Sequence, residues 1–300
     1  MRILVTGASG LLGSKIAEVA VKKGEEVYSA YNTHKPEYGK PIRLDLTDAL
    51  SCKAAFEEAR PEAVIHSAAL TNVDLCERER EVAWRVNVAG ALEVARLCKE
   101  LRSFLILVST DYVFDGSRGG YSEDDEPNPV NYYGLTKLEA ENKIKQILDE
   151  MSYCIARTSV IYGSKPAAGK VNFALWVLES LKRGMEVSVA RDQVNSPTLN
   201  TNLANMILEI VERRLAGVYH LAGSTPISRY DFAKLLAEEF KLPKELIRSV
   251  TSDKLSWAAR RPRDSSLNVS KAASMLRNKP MNIRESIAAL RREFGEGNHG

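Results

Sequence analysis

The chain is poor in the residues that build metal and disulfide sites. Among 300 residues there are four cysteines and four histidines. Cys52, Cys76, Cys98 and Cys154 are scattered, with no Cys-x-x-Cys spacing, so they read as reduced thiols and exclude a disulfide framework or a zinc site. No two histidines stand at ligand spacing, so the prediction is that there is no catalytic metal. No apolar run approaches the roughly 20 residues that span a bilayer. The first residues pass from Met1-Arg2 straight into a short strand-like run, without the stretch of a secretory signal. These absences predict a cytoplasmic protein with no membrane partner. The net charge of +3 is too small for the clustered basic face of a nucleic-acid binder.

What is present is alternation. Short β-rich runs at 3–6, 27–31, 41–44, 63–66, 104–109 and 153–157 are separated by helical patterns, among them 48–59, 77–101 and 134–150. The first helix sets Leu12, Ile16, Val19 and Ala20 at helical spacing, with Gly24 as its stop. Strands joined by crossovers of helical length are parallel, and such crossovers are right-handed. The predicted fold is α/β, a Rossmann-type doubly wound parallel sheet with a smaller mixed C-terminal substrate-binding region. Residues 1–157 are read as the dinucleotide-binding domain, with 201–222 returning to it; 158–200 and 223–300 form the substrate region. There 163–172 reads as a loop, 173–183 and 201–213 as helices, and 217–222 as a strand. A helix over 228–240 is capped by Ser228, with Asp231 in its first turn. Residues 293–300 read as a frayed tail.

The segment from Gly7 to Gly13, with Ser9, Gly10, Leu11 and Leu12 between them, joins the first strand to the first helix. Glycine there permits a tight turn and lets a pyrophosphate approach the backbone, where helix-opening amides and the dipole meet it. Its position after a strand and before an amphipathic helix is the context such a motif requires. Tyr31, Asn32 and Thr33 end the second strand without the acid that binds ribose hydroxyls and repels a 2′-phosphate. With Lys35 nearby, NADP(H) is favoured and NAD(H) stays open. Asp45, followed by Leu46, reads either as an acceptor for the adenine amino group or, with Asp48, as a helix cap. Ser67, Ala68 and Ala69 are small enough for a flat ligand to approach closely.

Tyr133 and Lys137 stand at i and i+4, on one helical face. A phenol has a pKa of about 10. A neighbouring ammonium is expected to lower it, so that the phenol exchanges a proton with a carbonyl oxygen as hydride meets the carbon. Tyr132 lacks a lysine four residues on. Ser109 and Thr110 end the fifth strand, the edge at which open α/β sheets bind ligands, and Asp111 and Tyr112 follow on the substrate side.

In this order the pieces resemble the extended short-chain dehydrogenase/reductases, and within them the dTDP-4-dehydrorhamnose reductase family. The resemblance runs through Gly7 to Gly13, Ala68 to Asp74, Asn87-Val88-Ala89-Gly90, Ser109 to Gly116, Tyr133 to Lys137, Asp192-Gln193 with Ser196-Pro197-Thr198, and Arg261-Pro262. It implies a catalytic triad of Thr110, Tyr133 and Lys137. Tyr133 would donate the proton, Lys137 would hold the nicotinamide ribose, and Thr110 would orient the C4 carbonyl of a nucleotide-linked 4-keto-6-deoxysugar. Asn87 would support the site or simply pack a helix against backbone. Family members often carry tryptophan after Arg-Thr-Ser, bordering the sugar; Val160 stands there instead.

The expected reaction is NADPH-dependent reduction of dTDP-4-dehydrorhamnose to dTDP-rhamnose. Two other readings stand beside it: another nucleotide-sugar epimerase or dehydratase, and a non-catalytic NADP-binding subunit resembling the methionine adenosyltransferase β subunit. A dehydratase would want a second acid after Asp111, and Tyr112 occupies that place. Residues 260–263 (Arg-Arg-Pro-Arg) read either as a pyrophosphate contact or as a solvated loop. A homodimer is the default assembly.

Overall fold

Alternate residues of the central strands feed two different cores. In a computed structural model describing residues 1–168 and 170–296, Ile3, Val5, Ile65 and Ile106 point into one apolar layer, and Leu4, Val64, Leu105 and Leu107 into the other. This two-sided burial explains why the strands are continuous apolar runs. They are β1 Arg2–Thr6, β2 Glu26–Tyr31, β3 Lys40–Arg43, β4 Ala63–His66, β5 Phe104–Thr110 and β6 Tyr153–Thr158.

Further on come the short β7 Ile161–Tyr162, β8 Val187–Ala190, β9 Val194–Asn195 and β10 Thr198–Leu199, then β11 Gly217–His220, β12 Ile227–Ser228 and β13 Ile247–Val250. The main sheet has the order β11-β6-β5-β4-β1-β2-β3, and every pairing in it is parallel. The chain is therefore a doubly wound α/β fold of Rossmann type. Its strand order reverses beside β1, where such sheets open a crevice.

One face is covered by α1 Leu11–Lys22 and the later α8 Asn200–Arg213. The other is covered by α2 Ala49–Ala59, α5 Gly90–Leu101 and α6 Tyr132–Ile147. Asp48 caps α2 and Asn131 caps α6, each accepting from a backbone amide of the first turn.

The single helix expected over 77–101 is broken. It is α3 Val73–Arg78, α4 Arg80–Trp84 and a π-helical turn Arg85–Ala89 leading into α5. Asn72 caps α3, and Glu79 leaves helical geometry (φ −111°, ψ 60°), which separates α3 from α4. Periodicity does not reveal such a break, because it rests on backbone geometry at a single residue, Glu79.

The C-terminal elements are α7 Phe173–Lys182, α8 Asn200–Arg213, α9 Arg229–Glu239, α10 Ser270–Met275 and α11 Ile283–Glu296. Tyr162, Phe232, Leu236, Ile287 and Leu290 form their own core. Ser228 caps α9, accepting from the Asp231 amide at 3.0 Å. β8 and β13 pair in parallel, a contact that sequence reasoning missed. Residues 293–296 close α11 instead of fraying, and 297–300 lie outside the described residues. Among the described residues no helix is long and apolar enough to cross a membrane.

Candidate active site

The turn after β1 is built for close approach. Gly7 has φ +67°, and a β-carbon there would stand 2.8 Å from the Ala68 Cα; a β-carbon on Gly13 would strike the Gly7 carbonyl. Gly10 opens α1 with no side-chain cap and no acid in the first turn. The opening amides of α1 are therefore free of any side-chain acceptor from the cap, which suits an anion.

A cavity of about 780 Å³ runs from this turn across the carboxyl ends of the strands. At one end are Tyr31, Asn32, Thr33, Asp45 and Leu46; over the turn are Ser67, Ala68 and Ala69; at the other end are Thr110, Asp111, Tyr112, Tyr133, Lys137 and Val160. Lys35 and the 260–263 stretch do not line it. Arg261 instead pairs with Asp74 at 3.0 Å and lies over Trp257.

At the Asn32 end, the parallel register sets Arg43 beside Tyr31, and Arg43 donates to Asn32 Oδ1 at 3.1 Å. Sequence reasoning missed this arginine because β3, twelve residues on, delivers it. Asp48 is the cap of α2. Asp45 instead accepts from the Thr47 amide at 2.9 Å and its hydroxyl at 2.8 Å, which hold its carboxyl below the usual range.

At the Tyr133 end the electrostatics differ from expectation. Burial pushes the Tyr133 phenol above its ordinary value, and the Thr110 hydroxyl pulls the other way. Burial also pulls Lys137 down to about 8. Desolvation outweighs the attraction expected from the i, i+4 pair. His66, 2.8 Å from the Thr6 hydroxyl, is pushed to about 3 by burial and then by Lys137, so it is neutral. Asp111 is buried. It accepts from Thr110 (3.1 Å), Ser159 (2.8 Å) and Ser265 (2.5 Å), and burial raises its carboxyl.

Tyr112 meets the Tyr133 ring edge-on at 6.2 Å. Val160 holds φ +37°, a strained value for a β-branched residue. Ser159 and Thr198 fix it from both sides: the Thr198 hydroxyl donates to the Ser159 carbonyl at 2.7 Å, and its amide to the Val160 carbonyl at 3.2 Å. Asn87 is buried and bonded to backbone, the packing role foreseen for it. It bonds the Leu70 amide and carbonyl (2.7 and 3.1 Å) and the Thr136 hydroxyl (3.0 Å), tying the loop after β4 to α6.

Sequence reasoning also missed Arg229. It lines the same end beside Tyr112, and its Nε has no hydrogen-bond partner among the described residues. Nothing in its sequence surroundings marks it, since it simply follows the Ser228 cap.

Fold and cavity define the class: an NAD(P)-dependent reductase of the short-chain type. The family follows from comparison with known proteins. A profile of the RmlD substrate binding domain matches residues 1–295. The chain is 33% identical over 299 residues to the probable low-salt glycan biosynthesis reductase Agl14 of Haloferax volcanii, covering 99% of each. It is 31% identical over 276 residues to methionine adenosyltransferase 2 subunit beta of Xenopus tropicalis, covering 90% of this chain and 81% of that protein. The structure of dTDP-4-dehydrorhamnose reductase from Bacillus anthracis in complex with NADP has a TM-score of 0.87 and 30% identity, covering 97% of this chain and 99% of that one. The chain belongs to the RmlD substrate-binding-domain family of sugar-nucleotide reductases.

Proposed function

We propose that the protein reduces a nucleotide-linked 4-keto-6-deoxysugar with NADPH, with dTDP-4-dehydrorhamnose as substrate and dTDP-rhamnose as product. The carrying observation is that Thr110, Tyr133 and Lys137 line the same cavity as the glycine turn and the uncapped start of α1. The cradle fits a dinucleotide diphosphate, because glycine at Gly7 and Gly13 lets the turn close against Ala68 and the start of α1, leaving the helix-opening amides uncovered by any capping side chain. Gly7, Ser9, Gly10, Leu11, Leu12 and Gly13 hold the diphosphate. Tyr31, Asn32 and Thr33, with Arg43 behind them, meet the adenosine ribose and its 2′-phosphate. Asp45 and Leu46 flank the adenine, and Ser67, Ala68 and Ala69 lie along the dinucleotide. When bound, NADPH supplies the hydride that reaches C4 of the sugar.

The rest is the work of the chain's own groups. Thr110, whose hydroxyl donates to Asp111 before substrate enters, turns that proton to the C4 carbonyl oxygen and orients it. Tyr133 gives its phenolic proton to the carbonyl oxygen; held protonated by burial, it is a proton donor throughout the neutral range. Lys137 remains mostly an ammonium below about pH 8, where it can bond the nicotinamide ribose and offset charge growing on the phenol oxygen. Asp111, Tyr112 and Val160 border the sugar.

Purified protein with NADPH and dTDP-4-dehydrorhamnose should consume nicotinamide absorbance. Tyr133→Phe should lower turnover by about 100-fold or more while NADPH affinity stays within about threefold. A Tyr133→Phe variant of unchanged rate removes the phenol from its role. NADPH binding without oxidation on any 4-keto-6-deoxysugar nucleotide would favour a subunit role of the kind held by the Xenopus relative.

A further inference from the structure

Next to the proposed catalytic residues lies a buried polar group that has no part in the chemistry above. Ser109 and Arg157 are direct neighbours across the β5–β6 pairing. Glu141 comes onto them from α6. Its carboxylate accepts from the Ser109 hydroxyl at 2.5 Å and from Arg157 through Nε (3.1 Å) and Nη2 (2.7 Å). Arg157 is 2% exposed and Glu141 not at all. The guanidinium lies over the Phe114 ring at 5.2 Å, and its Nη1 has no partner among the described residues. Such a pair is a poor source of stability, since each buried ion costs several kcal/mol and an apolar pair of equal volume often does as well. Its location suggests another use. Ser109 precedes Thr110, Arg157 precedes Thr158 at the cavity wall, and Glu141 lies one helical turn beyond Lys137 and two beyond Tyr133.

We propose that Ser109, Glu141 and Arg157 form a positioning unit that locks the Tyr133–Lys137 face of α6 to the strand ends carrying Thr110 and Thr158; the proposal rests on the roles given to those residues above. The unit also acts through charge. Glu141 shares the helical face of Lys137 and is the group that upholds its ammonium against burial. Of the other titratable groups facing this part of α6, Asp111 and Tyr112 in the turn after β5 act on Tyr133, and burial raises both. His66 on β4 is neutral, and Cys76 on α3 has its thiol pushed up to about 11. Glu77 bonds the Tyr132 amide at the start of α6 and pairs with Arg80. Tyr133 lies on the same helix. Ser109 and Thr110 on β5 and Asn87 on the π turn carry no charge, and Arg157 of β6 meets Glu141.

The experiment reads Lys137 itself. Full-length protein labelled with ¹³C at the lysine ε-carbons is titrated by NMR, with Lys137→Arg assigning the signal. Wild type is compared with Glu141→Gln and with the double variant Glu141→Met/Arg157→Met, which removes both charges at similar volume and covers the case of a single variant that fails to fold. In Glu141→Gln Lys137 should lose its proton about one pH unit lower or more, and in the double variant, which also removes the opposing Arg157 charge, it should move the same way by less. The alkaline limb of kcat/KM should move with it, kcat of Glu141→Gln should fall about twofold at pH 7 and about fivefold at pH 8, and KM for the sugar nucleotide should stay within about threefold. An unmoved Lys137 titration in the folded double variant overturns the proposal, as does an unchanged kcat with an unmoved alkaline limb. If Lys137 shifts as expected but wild type reduces no 4-keto-6-deoxysugar nucleotide, the charge coupling stands and the functional assignment falls.

Discussion

Lys137 shows what the site costs at the scale of one residue. Its side chain is 3% exposed, and burial brings it from 10.5 to about 8. That shift corresponds to roughly 3 kcal/mol of instability carried while the ammonium is charged. The sign follows from proton binding. Between pH 8 and 10.5 the unfolded chain holds more protons than the folded one, so stability rises with pH through that window, and the penalty is complete below it. Lys137→Met, which keeps the volume and drops the charge, should therefore melt several degrees higher than wild type at pH 7 while losing turnover. The gap should shrink as pH rises through 8 towards 10.5. Calorimetry of both proteins at the two ends of that window measures it; a variant less stable at pH 7, or a gap constant with pH, refutes the assignment of the cost to charge burial. The strained Val160 is a second local cost at the same cavity, and strain of this kind persists where neighbours over-determine the backbone.

Among the elements, what was legible followed from burial. Parallel strands covered on both faces must be apolar throughout, so β1, β4 and β5 stand out in the sequence. Caps at Asp48 and Ser228 were readable because short polar side chains at those places satisfy open amides. The β8–β13 pair was not readable, because its partners lie some sixty residues apart and each has only four residues. Nor was the split of 77–101, which rests on the geometry at Glu79. Arg43 teaches the same lesson about function: the end of β2 looked free of arginine until the β2–β3 register set one beside it. An exposed guanidinium at that place can pair with a 2′-phosphate and has no such partner on NADH. Arg43→Ala should weaken NADPH binding by about tenfold and leave NADH within about twofold. Equal losses for both dinucleotides, measured by fluorescence titration, would assign Arg43 to the shape of the loop instead of to the phosphate.

At the scale of the molecule, the site depends on contacts between segments far apart in sequence. The cavity residues named from sequence do converge, because motifs at successive strand ends of a doubly wound sheet meet along one edge. What holds that edge to the C-terminal region was hidden. Asp111 draws Ser159 and Ser265 to the end of β5, and Asn200 at the start of α8 donates to the Leu11 carbonyl in α1 at 3.2 Å.

A further such junction is Glu209, 1% exposed, in the second half of α8. Burial alone would raise its carboxyl. The backbone amides of Arg277 and Asn278, each at 2.8 Å, then the Arg213 and Asn278 side chains, bring it down to about 2 instead. The carboxylate thus ties the loop after α10 to the helix that covers the sheet. A fall from 4.5 to about 2 is worth roughly 3 kcal/mol to the folded state. That stability is fully present above pH 4.5 and is lost as the pH falls towards 2. Glu209→Gln should accordingly melt several degrees lower than wild type at pH 7, because a neutral amide is a weaker acceptor for four donors. The difference should narrow steadily between pH 4.5 and 3. A gap of the same size at pH 7 and pH 3 would mean that Glu209 holds the loop by shape, and that charge has no part in the junction.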